Sequence, residues 1–169
     1  MRQWVLATAA LIAAVAWGAG TAQAGKVEIK GAHICCPKCV AAIGGVLKKV
    51  DGVSDAACAK GASITFTTKD DKTTAAAIAA LADAGFTGAA TDDGKDVAST
   101  LPAATTGKAD DVAVTTHICC PNCQAAIKKL FPDDKIAFDG NTATISGKDL
   151  DKAAVLDTLR KAGFNGTIK

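Results

Sequence analysis

The sequence predicts an α+β protein built from two tandem copies of one βαββαβ unit. The string His-Ile-Cys-Cys-Pro-x-Cys occurs at 33–39 and again at 117–123. A second string, Ala-Gly-Phe-x-Gly, follows each copy by about 45 residues, at 84–88 and 162–166. Strand-like and helix-like apolar periods also recur in the same order around both copies. Together these repeats indicate two similar units rather than one large domain.

The first 24 residues are typical of a secretory signal peptide. Arg2 supplies a positive start, 4–17 is apolar, and Ala22-Gln23-Ala24 has the small-x-small pattern of a cleavage site. The apolar run of about 14 residues is shorter than the roughly 20 that span a bilayer, which disfavours a membrane anchor. We therefore expect a secreted or periplasmic protein that begins at Gly25 and has no membrane span after cleavage.

The composition of the processed chain excludes several kinds of site. Both tryptophans and the single methionine lie in the signal sequence, and tyrosine is absent. Thioether metal ligands are therefore excluded. Aromatic platforms that stack nucleic-acid bases are disfavoured because the remaining aromatic residues are only Phe66, Phe86, Phe131, Phe138 and Phe164. The net charge of the whole chain, +2, is close to neutral and provides no basic surface of the kind that binds DNA or RNA, so we expect no nucleic-acid partner.

The first unit, 25–91, has one predicted element for each apolar period. Val27 and Ile29 alternate as in a strand, and Pro37 suits the first turn of a helix, where its missing N–H is harmless. Gly85 is placed to end the second helix. The predicted elements are strand 26–32, the cysteine loop, a helix from Pro37, a hairpin 53–68 about Lys60-Gly61, helix 75–84 and a last strand from Phe86.

The second unit, 111–169, repeats this order but is about five residues shorter between its motif and its hairpin. Its predicted elements are strand 111–116, helix 121–130, hairpin 135–146, helix 150–162 and strand 164–168. The apolar positions of its first strand, Val112 and Val114, are shifted by one against the motif relative to Val27 and Ile29. This shift indicates a bulge or a different entry into one loop.

Residues 92–110 separate the two units. They are rich in Asp, Thr, Ala, Gly and Lys and have no sustained apolar period. This composition predicts a flexible linker, with extra structure packed on one unit as the alternative.

The predicted order of elements is the ferredoxin-like α+β pattern. With a Cys-x-x-Cys loop before the first helix and a closing Ala-Gly-aromatic string, both units resemble the heavy-metal-associated domain. That family includes copper chaperones, periplasmic mercury-binding proteins and the soluble N-terminal domains of metal-pumping ATPases. Ile34 and Ile118 stand where the family has a buried Met, and Phe86 and Phe164 where many members have Tyr.

The resemblance implies a non-enzymatic metal-binding protein with one two-thiol site in each unit. The implied ligands are Cys36 and Cys39, and Cys120 and Cys123. The implied partners are the metal ion itself and either a metal-transport ATPase or another metal-binding protein.

Elementary coordination chemistry favours the same function. Thiolates select soft ions, so we expect Cu(I), with Zn(II) or Hg(II) as alternatives. A helix N-terminus also stabilises a thiolate. Two matched copies of Cys-x-x-Cys in the same context make this interpretation much stronger than a single copy would.

Each motif carries an unusual prefix that extends the candidate ligand set. The prefix is His33 and Cys35 in the first motif, and His117 and Cys119 in the second. Adding Cys35 to the Cys36 and Cys39 pair would give three thiolates, and adding His33 as well would give a His/Cys3 site for a zinc or mercury scavenger, a set of four ligands that Zn(II) favours. Adjacent cysteines on extended chain point in opposite directions, however, so Cys35 joins Cys36 on one ion only if the loop bends. His33 shares its parity with Cys35, so these two could form a secondary pair. Alternatively, the histidine only orients the loop.

The other candidate residues have simpler interpretations. Cys58 has no counterpart in the second unit and alternates with Ala56, so we expect it to face inward as a small hydrophobe, with ligation or bridging as the alternative. The lysines near the motifs are expected on solvated helix faces, with balance of thiolate charge or docking of an acidic partner as the alternative; they are Lys38, Lys48, Lys49, Lys128 and Lys129.

Two other functions compete with soft-metal binding. Cys-Pro-x-Cys also occurs in thiol–disulfide oxidoreductases, but their domains are larger than these units of about 60 residues. Structural disulfides are the other alternative. Three cysteines per motif do not pair evenly within one unit, and bridges this short close loops too small to stabilise much.

Overall fold

A computed structural model of the protein describes residues 25–99 and 101–169. The predicted signal peptide and its cleavage site lie outside the described residues. Within them, no helix is long and apolar enough to cross a membrane.

The chain forms a mixed structure of two antiparallel sheets and four helices within the described residues. In the first half, the elements follow the order β1–α1–β2–β3–α2–β4–β5 along the chain, and the strand order in the sheet is β2-β3-β1-β4-β5. Their bounds are β1 Gly25–Lys30, α1 Pro37–Leu47, β2 Val53–Cys58, β3 Ile64–Thr68, α2 Asp71–Asp83, β4 Ala89–Asp92 and β5 Lys95–Val97. The α+β class predicted from the sequence agrees with this architecture.

The second half repeats the order of elements without the extra strand β5. It runs β6–α3–β7–β8–α4–β9, and its sheet order is β7-β8-β6-β9. The bounds are β6 Lys108–Thr116, α3 Pro121–Leu130, β7 Lys135–Asp139, β8 Thr142–Asp151, α4 Lys152–Lys161 and β9 Gly166–Ile168. Buried apolar residues of both halves form one continuous hydrophobic cluster.

Two predicted boundaries are wrong for identifiable reasons. Helix α2 begins at Asp71 rather than 75, because the Asp70 side chain accepts a hydrogen bond from Thr73 N and caps the helix earlier. The last strand of each half begins after the predicted phenylalanine. Phe86 and Phe164 instead pair with each other in an isolated antiparallel bridge between the halves.

The shifted apolar parity of the two first strands has its origin at Gly31. Strand β1 ends at Lys30, and Gly31, with φ of 83°, turns the chain before the motif. In the second half, β6 runs to Thr116 and enters the motif directly. The first motif thus has one additional turning residue, while both strands keep their apolar side chains in the core.

The stretch predicted as a linker, 92–110, contains regular structure at both ends. Strand β5 pairs with β4 through Ala90 and Val97, and β6 begins at Lys108.

Strand β2 does not bury the residues that its alternation predicts. Ala56 is exposed because the pairing with β3 shifts between Ser54 and Ala57, and Asp55 has φ of 50°. Cys58 is only partly buried, and its Sγ lies 3.8 Å from the carbonyl oxygen of Val40.

Candidate metal centre

Each cysteine motif is held at the first turn of a helix. Cys36 and Cys120 are the N-cap residues of α1 and α3, with extended backbones and a proline directly after them. The carbonyl of Cys36 accepts a hydrogen bond from Cys39 N at 3.0 Å, and Cys120 accepts one from Cys123 N at the same distance. Neither cysteine side chain caps its helix, so both thiols are free to face other groups.

The two halves dock against each other with their motifs facing. His33 N donates to Gly163 O at 3.2 Å, and Asn165 N donates to Gly85 O at 2.9 Å. The side-chain amide of Asn165 also donates, through Nδ2, to Ala82 O at 2.9 Å, and this hydrogen bond between the halves is buried.

Two glycines allow this close approach. A Cβ atom at Gly163 would overlap Gly31 O and His33 N, and one at Gly85 would overlap His117 N. Both glycines also have positive φ, 84° and 91°, so a side chain would be strained as well as crowded.

Docking places each histidine on a phenylalanine of the other half. The rings of His33 and Phe164 lie 4.2 Å apart in a stacked arrangement, and those of His117 and Phe86 lie 4.2 Å apart and tilted. The Nε2 atom of each histidine is buried and has no hydrogen-bond partner in the described part of the chain. Burial lowers the pKa of both histidines, which favours the neutral form that can bind a metal.

Six thiols, three from each motif, meet at the contact between the halves. Cys36 Sγ lies 3.3 Å from Cys119 Sγ, and Cys35 Sγ lies 3.4 Å from both Cys120 Sγ and Cys123 Sγ. Cys39 and Cys123 have no exposed surface, and the other four are partly buried. The thiols therefore form one shared cluster.

The six thiols fall into two electrostatic classes. The N–H of Cys39 lowers the pKa of Cys36 to about 6, despite some opposing effect of burial. Burial acts against the Cys120 thiolate, but the Cys123 N–H and the neighbouring Cys35 thiol outweigh it and lower the pKa. Burial raises the pKa values of Cys35, Cys119 and Cys123. At neutral pH the metal-free cluster is therefore a mixture of thiols and thiolates.

Cysteine and histidine side chains are positioned so that they could hold a metal ion. One group contains Cys39, His117, Cys119 and Cys123, with one ligand atom from each residue within 4.8 Å of the others. Two further groups complete the predicted set; they are His33 with Cys35 and Cys123, and Cys35 with Cys36 and Cys120.

The structure brings all eight predicted site residues into one cluster. The sequence predicted one two-thiol site in each unit, and it left open whether the two sites hand an ion to each other or clamp one ion between the units. It contained no direct signal that the motifs would face each other. The nearest signal was the repeated Ala-Gly-Phe string, whose glycines and phenylalanines form the contact between the halves. Cys58 is not part of any of the metal-ligand groups, and Lys38 and Lys128 lie exposed on their helices.

Comparisons with models of protein families, with curated proteins and with solved structures gave no match to this chain.

Proposed function

We propose that this protein is an exported, non-enzymatic carrier or store for a soft metal ion. Cu(I) is the favoured ion, and Zn(II) or Hg(II) are the alternatives. The observation that carries the proposal is the convergence of six thiols between the two halves, with contacts as short as 3.3 Å. A redox protein needs one pair of thiols, whereas this centre gathers six.

The proposed family and fold have support of their own. The sheet order β2-β3-β1-β4 in the first half, matched by β7-β8-β6-β9 in the second, supports tandem ferredoxin-like units of the heavy-metal-associated type. Ile34 and Ile118 are buried at 4% and 7% exposure, as expected if they replace the family's buried Met.

Ligand exchange is the proposed mechanism of loading and release. An incoming thiol displaces one cysteine sulfur at a time, so the ion passes between proteins without becoming free in solution. A metal-transport ATPase or another metal-binding protein is the proposed partner. Because Cys39 and Cys123 are fully buried, exchange would begin at the more exposed Cys36 and Cys120.

A Cu(I) titration against a competing chelator tests the proposal. The reduced protein is expected to bind about two Cu(I) per chain, one for each Cys-x-x-Cys pair of the shared cluster. Cys36→Ser combined with Cys120→Ser should remove most of this binding, because it deletes the two thiols whose pKa is lowered. Cys58→Ser is the matched control and should bind as the wild type does. Full binding by the double variant would exclude the proposed site.

A further inference from the structure

The contacts among the six sulfur atoms divide into two triangles, each built from both halves. In the first triangle, Cys36 and Cys39 lie 3.7 Å apart, and Cys119 of the other half lies 3.3 and 3.5 Å from them. In the second, Cys120 and Cys123 lie 3.7 Å apart, and Cys35 lies 3.4 Å from each. The two triangles have the same composition with the halves exchanged.

Accepting the proposed function, we propose that the protein holds two ions in crossed sites, in which the Cys-x-x-Cys pair of each half is completed by the first cysteine of the other half's motif. The ligand sets are Cys36, Cys39 and Cys119 for one ion, and Cys120, Cys123 and Cys35 for the other.

The local backbone explains why the ligands cross. Cys36 has φ of −154° and ψ of 167°, which is extended chain, so the adjacent Cys35 side chain projects in a different direction. Cys36 contacts Cys119, whereas Cys35 contacts Cys120 and Cys123. The docking of the halves turns two neighbouring residues into ligands of two different ions.

A triangle made from one half alone is less tight. Cys35 Sγ and Cys36 Sγ each lie 3.7 Å from Cys39 Sγ, and they lie within 4.8 Å of each other without approaching to the contact distance of the other edges. The crossed triangle, in contrast, has all three edges between 3.3 and 3.7 Å.

The edge lengths favour three thiolates around each ion. With a metal–sulfur bond of about 2.3 Å, sulfur atoms lie about 4.0 Å apart in a planar three-coordinate site and about 4.6 Å apart in a linear one. The observed edges of 3.3–3.7 Å are nearer to the three-coordinate value. They would lengthen by about 0.3–0.7 Å when an ion enters and the sulfur atoms reach the three-coordinate spacing.

Each crossed site also has a histidine close to two of its three cysteines, from the half that supplies the single cysteine. A ring nitrogen of His117 groups with Cys39 and Cys119, and with Cys123 of the second site, while one of His33 groups with Cys35 and Cys123. The histidine and first cysteine of each motif therefore cross together. An ion that prefers four ligands, such as Zn(II), can add this nitrogen, whereas Cu(I) is satisfied by the three sulfurs.

Two triple variants with equal numbers of thiols test the crossing. The crossed-set variant, C35S/C120S/C123S, keeps Cys36, Cys39 and Cys119. The one-half variant, C119S/C120S/C123S, keeps Cys35, Cys36 and Cys39. We expect the crossed-set variant to bind one Cu(I) with three sulfur ligands by X-ray absorption, at least about tenfold more tightly than the one-half variant. Equal affinity and equal coordination number would overturn the proposal.

Wild-type protein loaded with two equivalents of ¹¹³Cd gives a second test that needs no variant to fold. A ¹H–¹¹³Cd correlation spectrum should connect each cadmium signal to cysteines of both motifs. Signals that each connect to one motif alone would overturn the crossing and leave the proposed function standing. Failure to bind either Cu(I) or Cd(II) would instead exclude both.

Discussion

The two halves present the same metal-ligand motif on different scaffolds. Cys36 and Cys120 have nearly the same backbone angles, φ of −154° and −161° with ψ of 167° and 166°. Around them the scaffolds differ. Helix α1 is mostly apolar and has no basic residue in its last turn, whereas the last turn of α3 contains Lys128 and Lys129. The sheets have five and four strands. What the halves share is the geometry that presents sulfur atoms, together with the glycine and phenylalanine that dock them.

We expect the largest loss of stability from variants that prevent the two halves from approaching each other closely. Gly163→Ala and Gly85→Ala introduce a Cβ against backbone atoms of the opposite half. We expect each to lower the free energy of unfolding by about 3 kcal/mol, from positive-φ strain plus overpacking. Gly163→Ala should have the larger effect, because its Cβ overlaps two backbone atoms. Urea unfolding measures the loss, and small-angle scattering should show a larger radius of gyration.

Two other glycines provide matched controls for the strain alone. Gly61 and Gly140 also have positive φ, 71° and 54°, but a Cβ there would meet nothing within 4 Å. Their alanine variants should lose only about 1–2 kcal/mol and keep the wild-type radius. If Gly163→Ala were no more harmful than Gly140→Ala, the close contact between the halves would be contradicted.

The local parts of this structure could be predicted from sequence because their signals are local. Pro37 and Pro121 mark the helix starts, and the bounds predicted for α3 are those observed. Gly85 follows the last residues of α2 with φ of 91°, as expected for a helix end. The parity of adjacent residues predicted that Cys35 and Cys36 point apart, and the two thiols do contact different cysteines of the other half, although their Sγ atoms lie within 4.8 Å of each other.

The destination of Cys35 could not be predicted in the same way. It depends on how the halves dock. The residues that make the docking contacts also have local roles in their own unit, and those roles are enough to account for them in the sequence. Gly163 directly follows a predicted helix and Phe164 begins a predicted strand, yet both contact the other half. The apolar periodicity of one unit indicates which residues face its own core, but it does not indicate which surface of that unit contacts a second unit.

A smaller effect distinguishes the corresponding thiols of the two motifs. The pKa of Cys36 is lowered to about 6 chiefly by the Cys39 N–H, which outweighs burial there, whereas burial is the largest single influence on Cys120 and works against the lowering of its pKa by the Cys123 N–H. In reduced, metal-free protein, we expect iodoacetamide to modify Cys36 with an inflection near pH 6 and faster than Cys120 at that pH. Cys35 should stay unmodified at neutral pH, because burial raises its pKa. Peptide mass spectrometry across a pH series measures all three rates.

The lowered pKa of Cys36 also determines the direction in which the stability of the protein changes with pH. An unfolded cysteine titrates near pH 8.5, above the folded value of about 6 for Cys36. The contribution of this thiolate is therefore fully present above about pH 8.5 and is lost as the pH falls through about 6. Cys36→Ser should flatten this part of the stability profile. An unchanged profile, or equal alkylation of Cys36 and Cys35 at pH 6, would contradict the assignment.

The smallest difference between the halves lies at the N-caps of their second helices. Asp70 accepts hydrogen bonds from Thr73 N at 2.7 Å and from Thr73 Oγ1 at 2.6 Å, whereas Asp151 accepts only Ala154 N, at 3.0 Å. We expect Asp70→Ala to lower the free energy of unfolding, and Asp151→Ala to lower it by less, because the Asp70 side chain accepts two hydrogen bonds and the Asp151 side chain only one. The Thr73 bonds also lower the pKa of Asp70, so its contribution persists in mild acid and disappears only below the ordinary range of a carboxyl group. Urea unfolding at pH 7 and at pH 3 should show the difference between the two variants shrinking in acid.

Because neither cap touches the thiol cluster, the Cu(I) affinity of both variants should equal that of the wild type. A loss of affinity in either variant would mean that the second helix of that half helps to set the docking of the halves.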